Sequence, residues 1–139
     1  MDNRLVATVA VALAAAAAGC SSPPAALGGT TAKVTINGQS TGDAHDVTCT
    51  QTGWMWNIKT PDDAKGFTVF LDTGDEVKVR SVDFRDFGGF TGTFLEGRLG
   101  KADVTGVGGK YTITGSADGS FTDNPSNAVT ATFRIEAHC

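Results

Sequence analysis

Three thiols, two imidazoles and a scatter of carboxylates are the groups in this 139-residue chain whose types and spacing bear on chemistry. The thiols are Cys20, Cys49 and Cys139, and the imidazoles are His45 and His138. Neither H-x-x-x-H nor C-x-x-C occurs, so the short paired spacing of a zinc site is missing and no metal is expected. Asp72-Thr-Gly-Asp-Glu76 and Asp83-Phe-Arg-Asp86 gather carboxylates as a calcium loop does, but without its twelve-position ligand pattern. Asp and Gly between two strands are also what a hairpin turn requires, and that reading is preferred. No G-x-S-x-G nucleophile turn is present, and nothing selects a carboxylate pair facing one cleft. We therefore expect no catalytic residue, no cofactor and no enzyme.

Cys20 has the most distinctive surroundings. Leu5 to Ala18 is a fourteen-residue run whose one polar member is Thr8. At about 1.5 Å rise per residue it is too short for the roughly 30 Å hydrocarbon core, and it has the length of a signal-peptide apolar region. A buried amphipathic helix is the alternative, but the run has no polar face. Ala17-Ala18-Gly19-Cys20 resembles a bacterial lipobox, in which the thiol takes a diacylglyceryl group before cleavage. Ala17 stands where Leu most often opens that box, and Asp2 places an acid in the amino-terminal region. One acyl chain holds a protein marginally, at about 0.8 kcal/mol per buried CH₂, and two or three make a stable anchor. Cys20 reads as a tether.

Cysteine counting is a separate test. An odd thiol is a liability in an oxidising compartment. With Cys20 alkylated, an even pair remains, and Cys49 and Cys139 could close a loop of 90 residues. Such a bridge would contribute roughly 4–5 kcal/mol as an upper figure. Two separate buried thiols are the alternative at this point.

The elements that must position these groups are strands. Residues 21–31, Ser-Ser-Pro-Pro-Ala-Ala-Leu-Gly-Gly-Thr-Thr, have linker composition and a maximum reach of roughly 35–40 Å. From Lys33 the apolar residues alternate with period two: Val34 and Ile36, Val47 and Cys49, Trp54 and Trp56, Tyr111 and Ile113. The longest run places Val129, Ala131, Phe133, Ile135 and Ala137 on one face, with Cys139 on the polar parity, at a strand end. Residues 76–84 change apolar parity between Val79 and Val82, which predicts a bulge. Eight or nine short strands at hairpin spacing predict an all-β domain, an antiparallel sandwich or curled sheet. The expected organisation is a lipoprotein signal peptide over 1–19, a lipid-anchored linker over 20–32 and a β domain over 33–139.

Eleven basic residues against fifteen acidic ones give a net charge of −4, which argues against nucleic acid as a partner. Phe84, Phe87, Phe90 and Phe94 cluster within eleven residues, and core packing accounts for aromatic residues in such numbers. A sharper alternative is a partly exposed apolar groove formed by Trp54, Trp56, Phe70 and Phe94 for a lipid, glycan or partner protein.

From Lys33 onward the chain resembles the mycobacterial nineteen-kilodalton lipoprotein antigen family. The resemblance rests on Lys33-Val-Thr-Ile-Asn-Gly38, Val47-Thr-Cys49, Val77-Lys-Val-Arg-Ser-Val82, Tyr111-Thr-Ile-Thr-Gly-Ser-Ala117, Asp123-Asn-Pro125, Phe133-Arg-Ile-Glu136 and the terminal cysteine. Residues 84–98 and Trp54-Met-Trp56 follow the family less closely. The resemblance implies acylation of Cys20 and a bridge between Cys49 and Cys139. It also implies a membrane-held envelope protein on the extracytoplasmic side, reaching the cell surface, without catalysis. Such proteins act as surface antigens, with host innate receptors as partners, and envelope lipids are the partners under the groove reading.

Overall fold

The computed structural model describes residues 30–139, and every described element is a strand. In chain order these are β1 (Thr31–Ile36), β2 (Gln39–Ser40), β3 (His45–Asp46), β4 (Thr48–Thr52), β5 (Met55–Lys59) and β6 (Gly66–Asp72). They continue with β7 (Lys78–Phe87), β8 (Phe90–Leu95), β9 (Lys101–Val107), β10 (Lys110–Phe121) and β11 (Asn124–His138). All belong to one sheet, ordered β2-β1-β11-β10-β8-β7-β6-β5-β4, with β3 on β1 and β9 on β10. All strand pairs are antiparallel.

The all-β expectation therefore holds, with eleven strands where eight or nine are read from the sequence. The surplus comes from β2 and β3, two residues each, which are too short to show any apolar period. Thr31 and Ala32, read as linker, already pair with His138 and Ala137.

Alternation determines which face is buried. Ala32, Val34 and Ile36 of β1 point inward, as do Ala131, Phe133, Ile135 and Ala137 of β11 and Tyr111, Ile113 and Ala117 of β10. From the other half of the sheet Phe67, Val69, Leu71, Val82, Phe84, Phe90 and Phe94 meet them. Phe84 is the hub, with ring centroids 5.4 Å from Phe133, 5.9 Å from Phe90 and 6.4 Å from Phe67. Each such side chain contributes about 1.5–3 kcal/mol by leaving water. The Phe cluster is thus core.

The sheet curls until its ends meet. β1 has β11 on one edge and β2 and β3 on the other, and β3 leads through Val47 directly into β4, the far edge strand. The Val47 N–H donates to the Thr30 carbonyl at 3.0 Å, and the Thr30 hydroxyl donates to the Val47 carbonyl at 2.6 Å. The expected bulge lies on β7: Phe70 faces Ser81 and Leu71 faces Val79, leaving Arg80 as the extra residue. That extra residue switches Val79 and Val82 onto the same inward face.

Along one edge β10 is shared. Its residues Lys110–Ser116 pair with β9, and Asp118–Phe121 pair with β8. Gly115 sits near this change of partner, and a Cβ there would overlap the Lys101 carbonyl and the Ala102 backbone. A side chain would push β9 away.

Candidate functional site

Where the curled sheet closes, Cys49 of β4 and Cys139, just past β11, are joined by a disulfide with Cα atoms 5.8 Å apart. The Cys139 N–H also donates to the Gly109 carbonyl at 2.7 Å, tying the carboxyl terminus to the β9–β10 turn. Neither sulfur is then available as a nucleophile or ligand. Cys20, the third cysteine, and the segments expected as signal peptide and linker up to residue 29 lie outside the described residues.

A surface cleft lies on the side where β9 and β8 share β10. Val77 and Val79 of the β7 side face Ala102 and Val104 of β9 across it, and Phe94 is also in its lining. Its volume is about 540 Å³. Phe94 and Val79 are buried, and Val77, Ala102 and Val104 are packed against the same core. Around them stand Glu76, Lys78, Glu96, Lys101 and Asp103, three carboxylates and two ammonium groups. Lys78 pairs with Glu76 at 3.0 Å and Arg80 with Glu96 at 2.9 Å. The lining holds no Ser, Thr, Cys or His. Chemically the cleft offers apolar contact with a charged rim, which suits recognition.

The four residues read as a groove do not come together. Trp54 stands at the β4–β5 turn and is 68% exposed. Trp56, two residues on, is half-buried, its ring centroid 6.2 Å from that of Tyr111. Phe70 lies on the outer face of β6, opposite in parity to Phe67, Val69 and Leu71. Phe94 alone reaches the cleft. Nothing in the sequence pattern pairs Phe94 with Val104, because that juxtaposition arises from the split of β10 between two neighbours.

The carboxylate clusters have local duties. Asp72 accepts from the Arg80 guanidinium at 2.6 Å and from the Gly74 N–H at 2.9 Å, so it builds the β6–β7 turn. These bonds, that from Arg80 foremost, hold its carboxyl below the ordinary value. Asp83 accepts from Thr93 and Arg85, and Asp86 accepts from Thr122. His45 contacts the Thr41 hydroxyl at 3.0 Å and packs edge-on to Phe87. Among the described residues no group of three or more His, Cys, Asp or Glu is arranged to hold a metal ion.

Residues 25–139 match the family described as Mycobacterium 19 kDa lipoprotein antigen. The chain belongs to this family. A protein of Mycobacterium avium subsp. hominissuis named "Putative lipoprotein" is 40% identical across the whole chain and 97% of its own length. "Probable lipoprotein LppE" of Mycobacterium tuberculosis is 33% identical across the full length of both. "Lipoprotein LpqH" of Mycobacterium avium is 32% identical over 77% of this chain and 67% of its own. The nineteen-kilodalton family read from the sequence motifs is the family found.

Proposed function

We propose that this protein is a lipid-anchored lipoprotein of the cell envelope that displays a non-catalytic β domain as an antigenic and interaction surface. One observation carries the reading: the disulfide between Cys49 and Cys139 leaves Cys20 as the single remaining thiol, directly behind an export-type apolar run. A diacylglyceryl thioether on Cys20 accounts for that thiol and supplies enough buried CH₂ groups for stable anchoring. The family name and the relatives named lipoproteins support the same reading. Host innate receptors are the partners this reading assigns to the acylated amino terminus, and the extracytoplasmic side is the location.

The intact mass of the native protein, reduced and unreduced, tests it. The expected result is a chain beginning at Cys20, heavier by its acyl groups, that gains two mass units on reduction at about one hydrogen per sulfur. A chain beginning elsewhere with an unmodified thiol overturns the anchoring.

The cleft between β7 and β9 favours a second reading, a binding module for a hydrophobic or amphipathic envelope molecule. Its volume is in the range of small-molecule sites, and the five apolar side chains of its mixed lining belong to the core or pack against it. Native mass spectrometry of protein isolated from its own membranes tests this, with Val104→Glu as the control. A co-purifying lipid lost in the variant supports the module, and equal lipid content in both ends it.

A further inference from the structure

The chain enters the domain at one end of the wall, and two exposed apolar side chains share that end. Thr31 of β1 is in register with His138 of β11, His138 with Lys110 of β10, and Lys110 with Val107 of β9. Four strands thus finish in one row, and Val107 at the β9–β10 turn is 86% exposed. β3 runs antiparallel to β1, and the chain passes Thr30 at Val47, where two hydrogen bonds fix it. β4 continues past the start of β1, and its hairpin with β5 turns at Gly53 and Trp54. The contact between Trp56 and Tyr111 keeps this hairpin against the end of β10.

Trp54 and Val107 are the two most exposed large apolar residues among those described. Trp54 is not loosely held. Its carbonyl accepts from the Thr73 N–H at 2.7 Å and from the Thr73 hydroxyl at 3.0 Å. The indole is therefore presented from an ordered turn. Residues 47–58 and 104–109, which form the two tips, carry no ionisable side chain apart from the bonded Cys49.

We propose that this end of the domain docks on the lipid bilayer, with the Trp54 indole and the Val107 side chain entering the interfacial layer. The proposal rests on the anchoring of Cys20. Nine residues, Ser21 to Gly29, separate Cys20 from Thr30, so the tether reaches at most roughly 35 Å. A tether of that reach keeps the Thr30 end at high effective concentration over the membrane, so weak insertion is enough to orient the domain. Trp suits the layer because its ring is apolar and its N–H meets headgroup oxygens. Asp75 and Glu76 lie in the adjacent β6–β7 turn, Lys78 pairs with Glu76 and Lys110 stands in the row itself, so this end mixes both signs of charge and fits a zwitterionic surface. Docked this way, the turns at Asn37-Gly38, Gly88-Gly89 and Thr122-Asp123 face away from the membrane, where partners approach.

The native acylated protein in phosphatidylcholine vesicles containing brominated phosphatidylcholine tests the orientation, with intact mass confirming the acyl groups. Indole emission is expected to be quenched by the brominated lipid. Trp54→Phe, which leaves Trp56 as the only indole, should lower that quenching at least about threefold, since the reporter at the interface is gone. Val107→Asp should lower it by a similar factor while Trp54 remains. Acylated protein with unquenched indoles overturns the docking alone. Protection of Trp54 from iodide that grows with protein density, without lipid quenching, assigns the patch to a second copy and also overturns it. An unacylated chain overturns the anchoring, and this orientation with it.

Discussion

Cys139 is bonded to Cys49 across the seam where the two ends of the sheet meet, not between strands adjacent in the sheet order. β11 and β4 lie far apart in the sheet order, and the bond closes the wall that β3 begins to close with two residues. Opening it leaves the short β3–β1 pairing and the Thr30–Val47 hydrogen bonds to hold the seam.

The double variant Cys49→Ser/Cys139→Ser is therefore expected to lose roughly 2–5 kcal/mol of unfolding free energy, given a closed loop of 90 residues. Urea unfolding of wild type with and without reductant, beside the variant, checks this. A midpoint unaffected by reductant would mean that the seam holds without the bond.

Phe67 and Phe70 stand three residues apart on β6 and face opposite ways. Phe67 has no exposed surface, and its ring centroid is 5.3 Å from that of Phe87, whereas Phe70 is 38% exposed. Phe67→Ala should cost about 3–5 kcal/mol through lost transfer and an unfilled cavity. Phe70→Ala should cost about 1 kcal/mol or less, as an outward residue on a sheet face. Parallel chemical denaturation of the two variants reads the difference directly.

That contrast also marks how far the sequence is legible. The period-two runs in β1, β10 and β11 give the inward residues directly, because each run is long and its parity unbroken. The parity shift between Val79 and Val82 locates the Arg80 bulge for the same reason. Trp54, Trp56, Phe70 and Phe94 are a different matter, since grouping them needs the relative position of three hairpins. Parity alone separates Phe70 from Phe67, but whether a strand end is covered depends on what curls over it. The cleft is likewise invisible in one dimension: Val104 and Val79 become neighbours because β9 ends its ladder on β10 beside β8. The Cys20 reading rests on local sequence alone and concerns a residue outside the described ones.

Asp72 predicts the acid limb of the stability curve. Its folded-state carboxyl is held below the ordinary value of 3.8, first by the hydrogen bond from Arg80 and then by that from Gly74. A depressed folded value means the stabilising contribution is present above the unfolded value and is lost as pH falls through the folded one. Asp72→Asn keeps the turn acceptor and removes the charge. It should therefore flatten the decline in thermal midpoint below about pH 4 while leaving its slope near pH 7 unchanged. Midpoints of both proteins measured from pH 7 down to pH 2 decide it, and parallel curves over the acid range would show that the Arg80 pair contributes nothing there.

Gly115 tests the split of β10. A Cβ at this position has no room, because the Lys101 carbonyl and the Ala102 Cα lie directly over it, and both belong to the strand that forms one wall of the cleft. Gly115→Ala must therefore displace β9 or bend β10, at a cost of about 1–3 kcal/mol for an overpacked contact. The strain is local, so the amides of Lys101–Val104 should exchange with solvent faster than in wild type, while those of Val34 and Ile135 should change only with global stability. Hydrogen exchange resolved by residue distinguishes the two. Equal acceleration over β9 and β1 would mean that β9 is fused to the core rather than laid along it, and the cleft wall would then be as rigid as the rest of the sheet.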